Sequence, residues 1–437
     1  MSKELNSKTY IATFITSVCI QICTVVQGVL TARFLGVEGR GELAAVLLWP
    51  MFFSAIGLCG MYTVTLQTKW LGKKEVIYIS LLTSLLSWVC CVTFLDQLLP
   101  QENKTILESA YVYSLVIFIL QSSLNLAAIL QREKAFKLLN LSRLINNIII
   151  VVGLLILWLV NSITVFSVVG VYMIACIAVL AVRLSWTDNQ KKQKKHRPDK
   201  YIRESFKVSM PYTFSNLFRE GLLHADKVFL LWALGEESLG LWAVAITASG
   251  VLNTLFGAVG LVNVSKAVNC TIEESGPWLT HSFRVGLLFN LVIGIMLASL
   301  LPVLLPLVYG NPFSGAVLSA QILILAQVCI SASSMFDQVL AAQKMPFVGV
   351  VIKIFVLILI LTFAFSFYEL MDLTTFAMIF MLAQALGLLS FIIVCLRIYP
   401  STSRRDFFPG RRDAVEIYLK VQLLFWRLVR RNKVVES

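Results

Sequence analysis

The stretch "PYTFSNLFREGLLHADKVFLLWALG", residues 211–235, places Arg219, Glu220, His224, Asp226 and Lys227 within one long apolar run. A charge at mid-bilayer costs roughly 2.5–3.5 kcal/mol on insertion scales, so such side chains need a wet cavity or a partner. At about 100° per residue, Asn216, Arg219, Glu220, His224, Asp226 and Lys227 fall within an arc of about 160° on a helix. Phe218, Leu222, Ala225 and Phe229 take the other side. Two arrangements account for the wet face. In the first, Glu220 neutralises His224 and Lys227 at spacings of four and seven, and Asp226 pairs with Arg219. In the second, Arg219 and Lys227, with His224 beside them, receive an anion, while Glu220 or Asp226 takes a coupling proton or sodium ion. A forked guanidinium and a point cation suit an anion that must shed water to enter a cavity. The second is favoured, because this much charge in one span is seldom only structural.

Other polar residues lie in apolar runs. Lys353 stands about seven residues into its run, roughly 10 Å from the start, where it can snorkel or meet a substrate. Asp337 is its natural partner. Thr13, Ser17, Gln21, Thr24 and Gln27 recur every three or four residues, and Gln121, Asn125, Asn146 and Asn147 lie in later runs. Such groups either line a sugar-binding cavity or bond neighbouring helices. The substrate-binding candidates are therefore Arg219, Lys227, His224, Lys353, Gln27, Gln21, Asn125 and Asn147. The ion-coupling candidates are Glu220, Asp226 and Asp337. Arg33 reads as an interfacial anchor. The nine cysteines show no metal spacing or paired framework and read as packing residues.

These residues need a membrane-spanning frame, and the composition supplies one. Apolar residues make up 58% of the 437 and charged residues 14%, with a mean hydropathy of +0.82. A spanning helix needs about 20 mostly apolar residues. Twelve such stretches run near 11–32, 43–66, 76–95, 109–130, 141–160, 163–182, 206–234, 239–262, 285–308, 315–341, 346–368 and 374–396. Runs this long argue for helices, so the fold class is an all-α polytopic membrane protein. The first run has no cleavage site after a short apolar core and reads as a retained helix.

Lys and Arg set the orientation. With both ends inside, the inner segments hold 31 of the 37 basic residues, among them four in 131–143 and nine in 183–207, and the outer loops hold three. The net charge of +13 is thus mostly topology, and no nucleic-acid partner is expected. The longest outer connector, near 96–108, has no His or Arg, which disfavours an enzyme.

The charged stretch "WTDNQKKQKKHRPDK" divides the chain into two halves of six spans. The expected organisation is 1–185, a basic cytoplasmic linker at 186–205, 206–396, and a basic amphipathic tail at 397–437. In the tail, Glu416, Lys420, Arg427 and Arg431 face away from Tyr418, Val421, Phe425 and Leu428, as in a helix lying on anionic lipid. Halves with an even number of spans must face the same way, which predicts a parallel repeat. The sequence carries one. Shifted by 199 residues, Leu35, Gly36, Glu38, Gly41 and Ala44 meet Leu234, Gly235, Glu237, Gly240 and Ala243. The shared pattern LGxExxGxxA predicts a tight outer hairpin in each half. Gly36 and Gly235 are expected to take the left-handed conformation that ends a helix, and Glu38 and Glu237 to favour the next helix start. A phosphate loop would need a preceding strand and a Gly-Lys-Ser/Thr close.

At these residues a family resemblance emerges. "RFLGVEGRGELAAV" resembles the first hairpin of the oligosaccharide flippases, the bacterial polysaccharide-exporter proteins. "ADKVFLLWALGEESLGLWAVA" is similar to their seventh-to-eighth helix segment, and "LLPLVYGNPFSGAVLSAQIL" to the end of their ninth helix and start of their tenth. One departure is "LVNVSKAVNC", where the family often has a proline-containing stretch. The superfamily also holds multidrug extruders. The resemblance implies two six-helix bundles in a V around a cavity that opens alternately inward and outward. It implies transport of undecaprenyl-diphosphate-linked oligosaccharide for O-antigen, capsule or exopolysaccharide; the anion read at Arg219 and Lys227 would then be the diphosphate. It implies a multi-pass protein of the bacterial inner membrane with both termini cytoplasmic. No cofactor is expected beyond an H+ or Na+ gradient. Expected partners are the lipid-linked substrate, membrane lipids, and polysaccharide polymerase and chain-length proteins. The alternative is a multidrug or small-metabolite antiporter. Arg219, Lys227 and Lys353 favour the anion over a drug cation.

Overall fold

The structure, a computed structural model, describes the backbone of residues 7–68, 71–99, 104–185, 198–250, 252, 272–343, 345–408, 410 and 413. Among those residues the regular structure is helical throughout, with no strand, and ten stretches are long and apolar enough to cross a membrane. The helices are α1 (Ser7–Gly57), α2 (Met61–Gln67), α3 (Lys73–Leu98), α4 (Lys104–Ser114), α5 (Val116–Arg132) and α6 (Phe136–Leu159). They continue with α7 (Val165–Leu184), α8 (Pro198–Ser249), α9 (Ile272–Tyr309), α10 (Val317–Ala342), α11 (Pro346–Ser366) and α12 (Leu373–Ile398). The first expected apolar run and most of the second are in α1, the second ending in α2, and the seventh run and the start of the eighth are both in α8. The fourth is split between α4 and α5. Helix α8 begins at Pro198, inside the stretch read as linker, since proline suits a first helical turn. "LVNVSKAVNC" and the tail beyond Asp413 lie outside the described residues.

Two compact units emerge. One comprises Met1–Ala248, Val303–Ser319 and Ala364–Thr375; the other comprises Ser249–Pro302, Ala320–Phe363 and Phe376–Ser437. The first unit's core includes Leu43, Trp49, Leu95, Ile106, Tyr113, Val116, Leu154 and Val168, with Leu231 and Leu239 of α8 packed into it. The second is built on Leu279, Phe283, Phe336, Val339, Phe391 and Tyr399, closed by Phe407. Arg284 holds that closing segment: its Nε donates to Asp413 Oδ2 at 3.0 Å and its Nη1 to the Asp406 carbonyl at 2.6 Å. Asp372 caps α12 by accepting the Thr375 N–H at 2.6 Å. Hydrogen bonds from the Thr375 side chain and amide hold its carboxyl below the usual range.

The repeat is explicit in the backbone. Gly36 has φ 73° and ψ −172°, and Gly235 has φ 77° and ψ −171°. The φ is positive as expected, but the ψ is not that of a left-handed helical cap. Both glycines sit in a region open essentially to glycine alone. Helix resumes at once on either side, so one residue makes each break.

The second glycine of the motif has a different reason to be there. A Cβ on Gly41 would stand 1.8 Å from the Glu236 carbonyl oxygen, and one on Gly240 would stand 2.2 Å from that of Val37. Val37 and Glu236 are themselves one repeat apart, so the same two positions meet in both senses, as in a two-fold contact. Small residues let membrane helices approach to backbone contact. The motif thus uses one glycine for conformation and the other for space.

Arg33, expected as an interfacial anchor, is exposed and also caps a helix. Its Nε donates to the Val308 carbonyl at 2.7 Å and its Nη2 to that of Leu307, at the carboxyl end of α9. Those last carbonyls have no intrahelical donor, and a cation there also meets the negative helix end.

Candidate functional site

The polar residues of α1 meet α6. Gln27 is buried, and its Nε2 donates to the carbonyl and to Oδ1 of Asn147, each at 3.1 Å. Thr24 Oγ1 donates to the Ile20 carbonyl at 2.9 Å and reaches Asn147 Oδ1 at 3.5 Å. Asn147 Nδ2 in turn donates to the Arg143 carbonyl at 3.0 Å. Two substrate-binding candidates, Gln27 and Asn147, are therefore bonded to each other across the bundle. Gln21 is half-buried on the same helix.

The amides of α5 are more deeply set. Gln121 accepts from Thr83 at 2.8 Å and donates to the Ser54 carbonyl at 3.1 Å and to Ser87 Oγ at 2.9 Å, tying α1, α3 and α5 together. Asn125 is 1% exposed and donates to Ser80 Oγ at 2.8 Å. Every polar group in such an interior needs a partner, which favours this arrangement.

Beside Asn147 lies a cavity of about 270 Å³ lined by Ser123, Ser142, Arg143, Asn146, Asn147 and Arg183, with Ile20, Leu120, Leu124, Cys176 and Val179 completing its walls. Arg183 is buried, and its Nε donates to Ser142 Oγ at 3.1 Å. Its Nη1 donates to the carbonyl and hydroxyl of Ser123, at 2.7 and 2.9 Å. Sequence reasoning assigned Arg143 and Arg183 only to the topology signal. The available sign was that Arg183 closes the apolar run "VVGVYMIACIAVLAVRL" with no acidic residue in it.

On α8, Asp226 is 5% exposed and its Oδ2 accepts from the indole Nε1 of Trp242 at 2.8 Å. Trp242 is fully buried beyond the Gly235 break, so this bond joins the two arms of α8. The described partner of Asp226 is thus an indole; the expected pairing with Arg219 falls on a side chain outside the described residues. Asp226 Oδ1 is buried and has no hydrogen bond among the described residues. His224 is half-buried and meets Phe52 of α1 edge-on, ring centroids 5.9 Å apart. Lys227 is half-buried. Arg219 and Glu220 lie on the helix backbone, and their side chains fall outside the described residues.

In the second unit, Lys353 Nζ donates to Asp337 Oδ2 at 2.5 Å. A Cβ on Gly349 would stand 1.7 Å from Asp337 Oδ1, so the missing side chain one turn before Lys353 makes room for the carboxylate. Both partners are half-buried, between the surface and interior regimes of ion pairing. A double-mutant cycle with Asp337→Asn and Lys353→Gln is expected to show a coupling of about 1–2 kcal/mol in thermal unfolding. Additive single effects would show that the pair contributes nothing.

Residues 8–262 match the family described as "Polysaccharide biosynthesis protein". No curated protein sequence matches significantly. Among solved structures, a lipid II flippase, MurJ, in an inward closed conformation is 16% identical with a TM-score of 0.74, covering 97% of this chain and 100% of its own. An inward-facing multidrug resistance transporter of the MATE family and MOP superfamily is 13% identical with a TM-score of 0.68, over 89% of this chain and 100% of its own. The MATE multidrug transporter DinF-BH, solved in a complex, is 14% identical with a TM-score of 0.63, over 94% and 98% respectively. At these identities the likeness is one of fold.

Proposed function

Because the chain belongs to the polysaccharide biosynthesis protein family, we propose that it is a flippase carrying undecaprenyl-diphosphate-linked oligosaccharide units from the inner to the outer leaflet by alternating access. The family match, extending from α1 into α8 and beyond, is the observation that carries this reading. Arg219 and Lys227 then receive the diphosphate, as forked and point cations suited to phosphate oxygens. Asp226, buried and bonded on one oxygen only among the described residues, takes the coupling proton or sodium ion. One charge crossing 100 mV supplies about 2.3 kcal/mol, enough to bias direction. The setting is the bacterial inner membrane with both termini cytoplasmic. The product would pass to a polymerase and chain-length protein for O-antigen, capsule or exopolysaccharide assembly.

A second reading, a multidrug or small-metabolite antiporter, is favoured by the same buried carboxylate, which suits a cation-coupled site. One experiment separates them. Deleting the gene is expected to remove surface polysaccharide and to leave lipid-linked repeat units on the inner leaflet, with no change in drug susceptibility. Intact polysaccharide with increased drug sensitivity would replace the flippase by the antiporter.

A further inference from the structure

The cavity between α1, α5, α6 and α7 holds two guanidinium groups and no carboxylate among its lining residues. Arg183 is 7% exposed, and Ser123 and Ser142 fix its Nε and Nη1. The hydrogen bonds it makes to described residues use its Nε and Nη1 and not its Nη2. Arg143 is exposed and forms no ion pair among the described residues, and it borders the same space with Asn146 and Asn147. Two cations held together without a counter-charge repel each other unless an anion or water lies between them. A guanidinium fork beside carboxamide donors matches the oxygens of a phosphate.

The remaining walls are hydrocarbon: Ile20, Leu120, Leu124 and Val179. Leu124 is exposed at 38%. Both arginines lie towards one end of the bundle. Arg183 directly precedes the last residue of α7, and Arg143 stands about 10 Å from the start of α6. Arg132 at the end of α5 and Lys134 in the connection to α6 lie at that end, and Lys73 donates to the Leu184 carbonyl there. A volume of about 270 Å³ falls just below the usual range of small-ligand pockets, roughly 300–1,000 Å³. It admits a phosphate and the first atoms attached to it, but not an oligosaccharide.

We propose that this cavity binds the phosphate head group of an anionic membrane lipid, with Arg143 and Arg183 as its ligands and the apolar wall receiving the start of the lipid tails. Basic pockets between membrane helices near the charged face are the usual seats of such head groups. The site is separate from the α8 charges and holds whichever cargo the protein carries.

The test is thermal unfolding of the purified full chain in neutral detergent, titrated with phosphatidylglycerol, with phosphatidylcholine of the same chains, or with inorganic pyrophosphate. Phosphatidylglycerol is expected to raise the melting temperature by several degrees, and the other two by less than one. Arg143→Gln is expected to weaken the phosphatidylglycerol effect about tenfold in midpoint concentration, because one charged ligand of the phosphate is lost. Lys137→Gln, an exposed change outside the cavity, should leave that midpoint unmoved. Equal effects of the two lipids, or equal loss in the Arg143 and Lys137 variants, would overturn the site. A full shift with pyrophosphate alone would overturn its assignment to a lipid.

Discussion

Gly41→Val and Gly240→Val are each expected to destabilise the protein by about 3 kcal/mol, the top of the usual overpacking range. A Cβ at 1.8 or 2.2 Å from a backbone oxygen cannot be relieved by rotating a side chain. The first arm of the contact and its repeat partner must move apart, and Leu43 and Leu239, both fully buried just beyond it, would lose packing. Apolar lipid offers no hydrophobic force to hold separated helices together, so close packing is most of what joins them. The double variant is expected to cost less than the sum of the singles, because both clashes occur at one crossing. Gly170→Ala is the control. A Cβ there would meet no described atom of a neighbouring element within 4 Å, and relief of unfolded-chain entropy should make it neutral or stabilising by up to about 1 kcal/mol. Thermal unfolding of the detergent-purified variants decides the matter. Wild-type melting of both valine variants would mean that the helices do not cross where described.

Asp226→Asn is expected to abolish ion-driven transport, at least tenfold in initial rate, while changing stability by less than about 1 kcal/mol. The carboxamide oxygen can still accept the Trp242 indole proton, so the bond between the arms of α8 survives and only the charge is lost. Asp226→Leu removes both, and the stranded indole N–H should cost a further 1–3 kcal/mol, as is typical of an unsatisfied buried donor. The pair of variants separates a coupling role from a merely structural one. Should Asp226→Asn transport at the wild-type rate with its ion dependence intact, the coupling group lies elsewhere, and Glu220 becomes the next to test.

The spans, the repeat and the family were legible in the sequence because each rests on a local or pairwise regularity. Hydrocarbon forces backbone groups into long apolar helices, so composition alone located α3, α6, α7 and α9 to α12. LGxExxGxxA was visible because the same turn occurs twice, and positive φ demands glycine in both copies. The reason for the second glycine was not visible. Gly41 and Gly240 have ordinary helical conformations, and only the carbonyls of Glu236 and Val37, far away in the chain, explain them.

Side-chain partners show the same limit. Helical phase placed Asp226 on one face with Lys227, but phase cannot tell which neighbour packs there, and the tertiary structure supplied Trp242. Gln27 and Asn147 were equally good as cavity lining or as glue; the structure bonds them at 3.1 Å and also sets Asn147 on a cavity wall, which helical phase could not tell. Arg143 and Arg183 were counted as markers of orientation. Charge counting records how many cations lie at a membrane face, and it carries no information about which of them share an enclosed space. Sequence by itself determined the solvent, the helices and the duplicated turn, since these follow from the chain's own periodicity. The tertiary structure alone decided which polar groups are spent on one another and which are left facing a cavity, because that depends on contacts between distant residues.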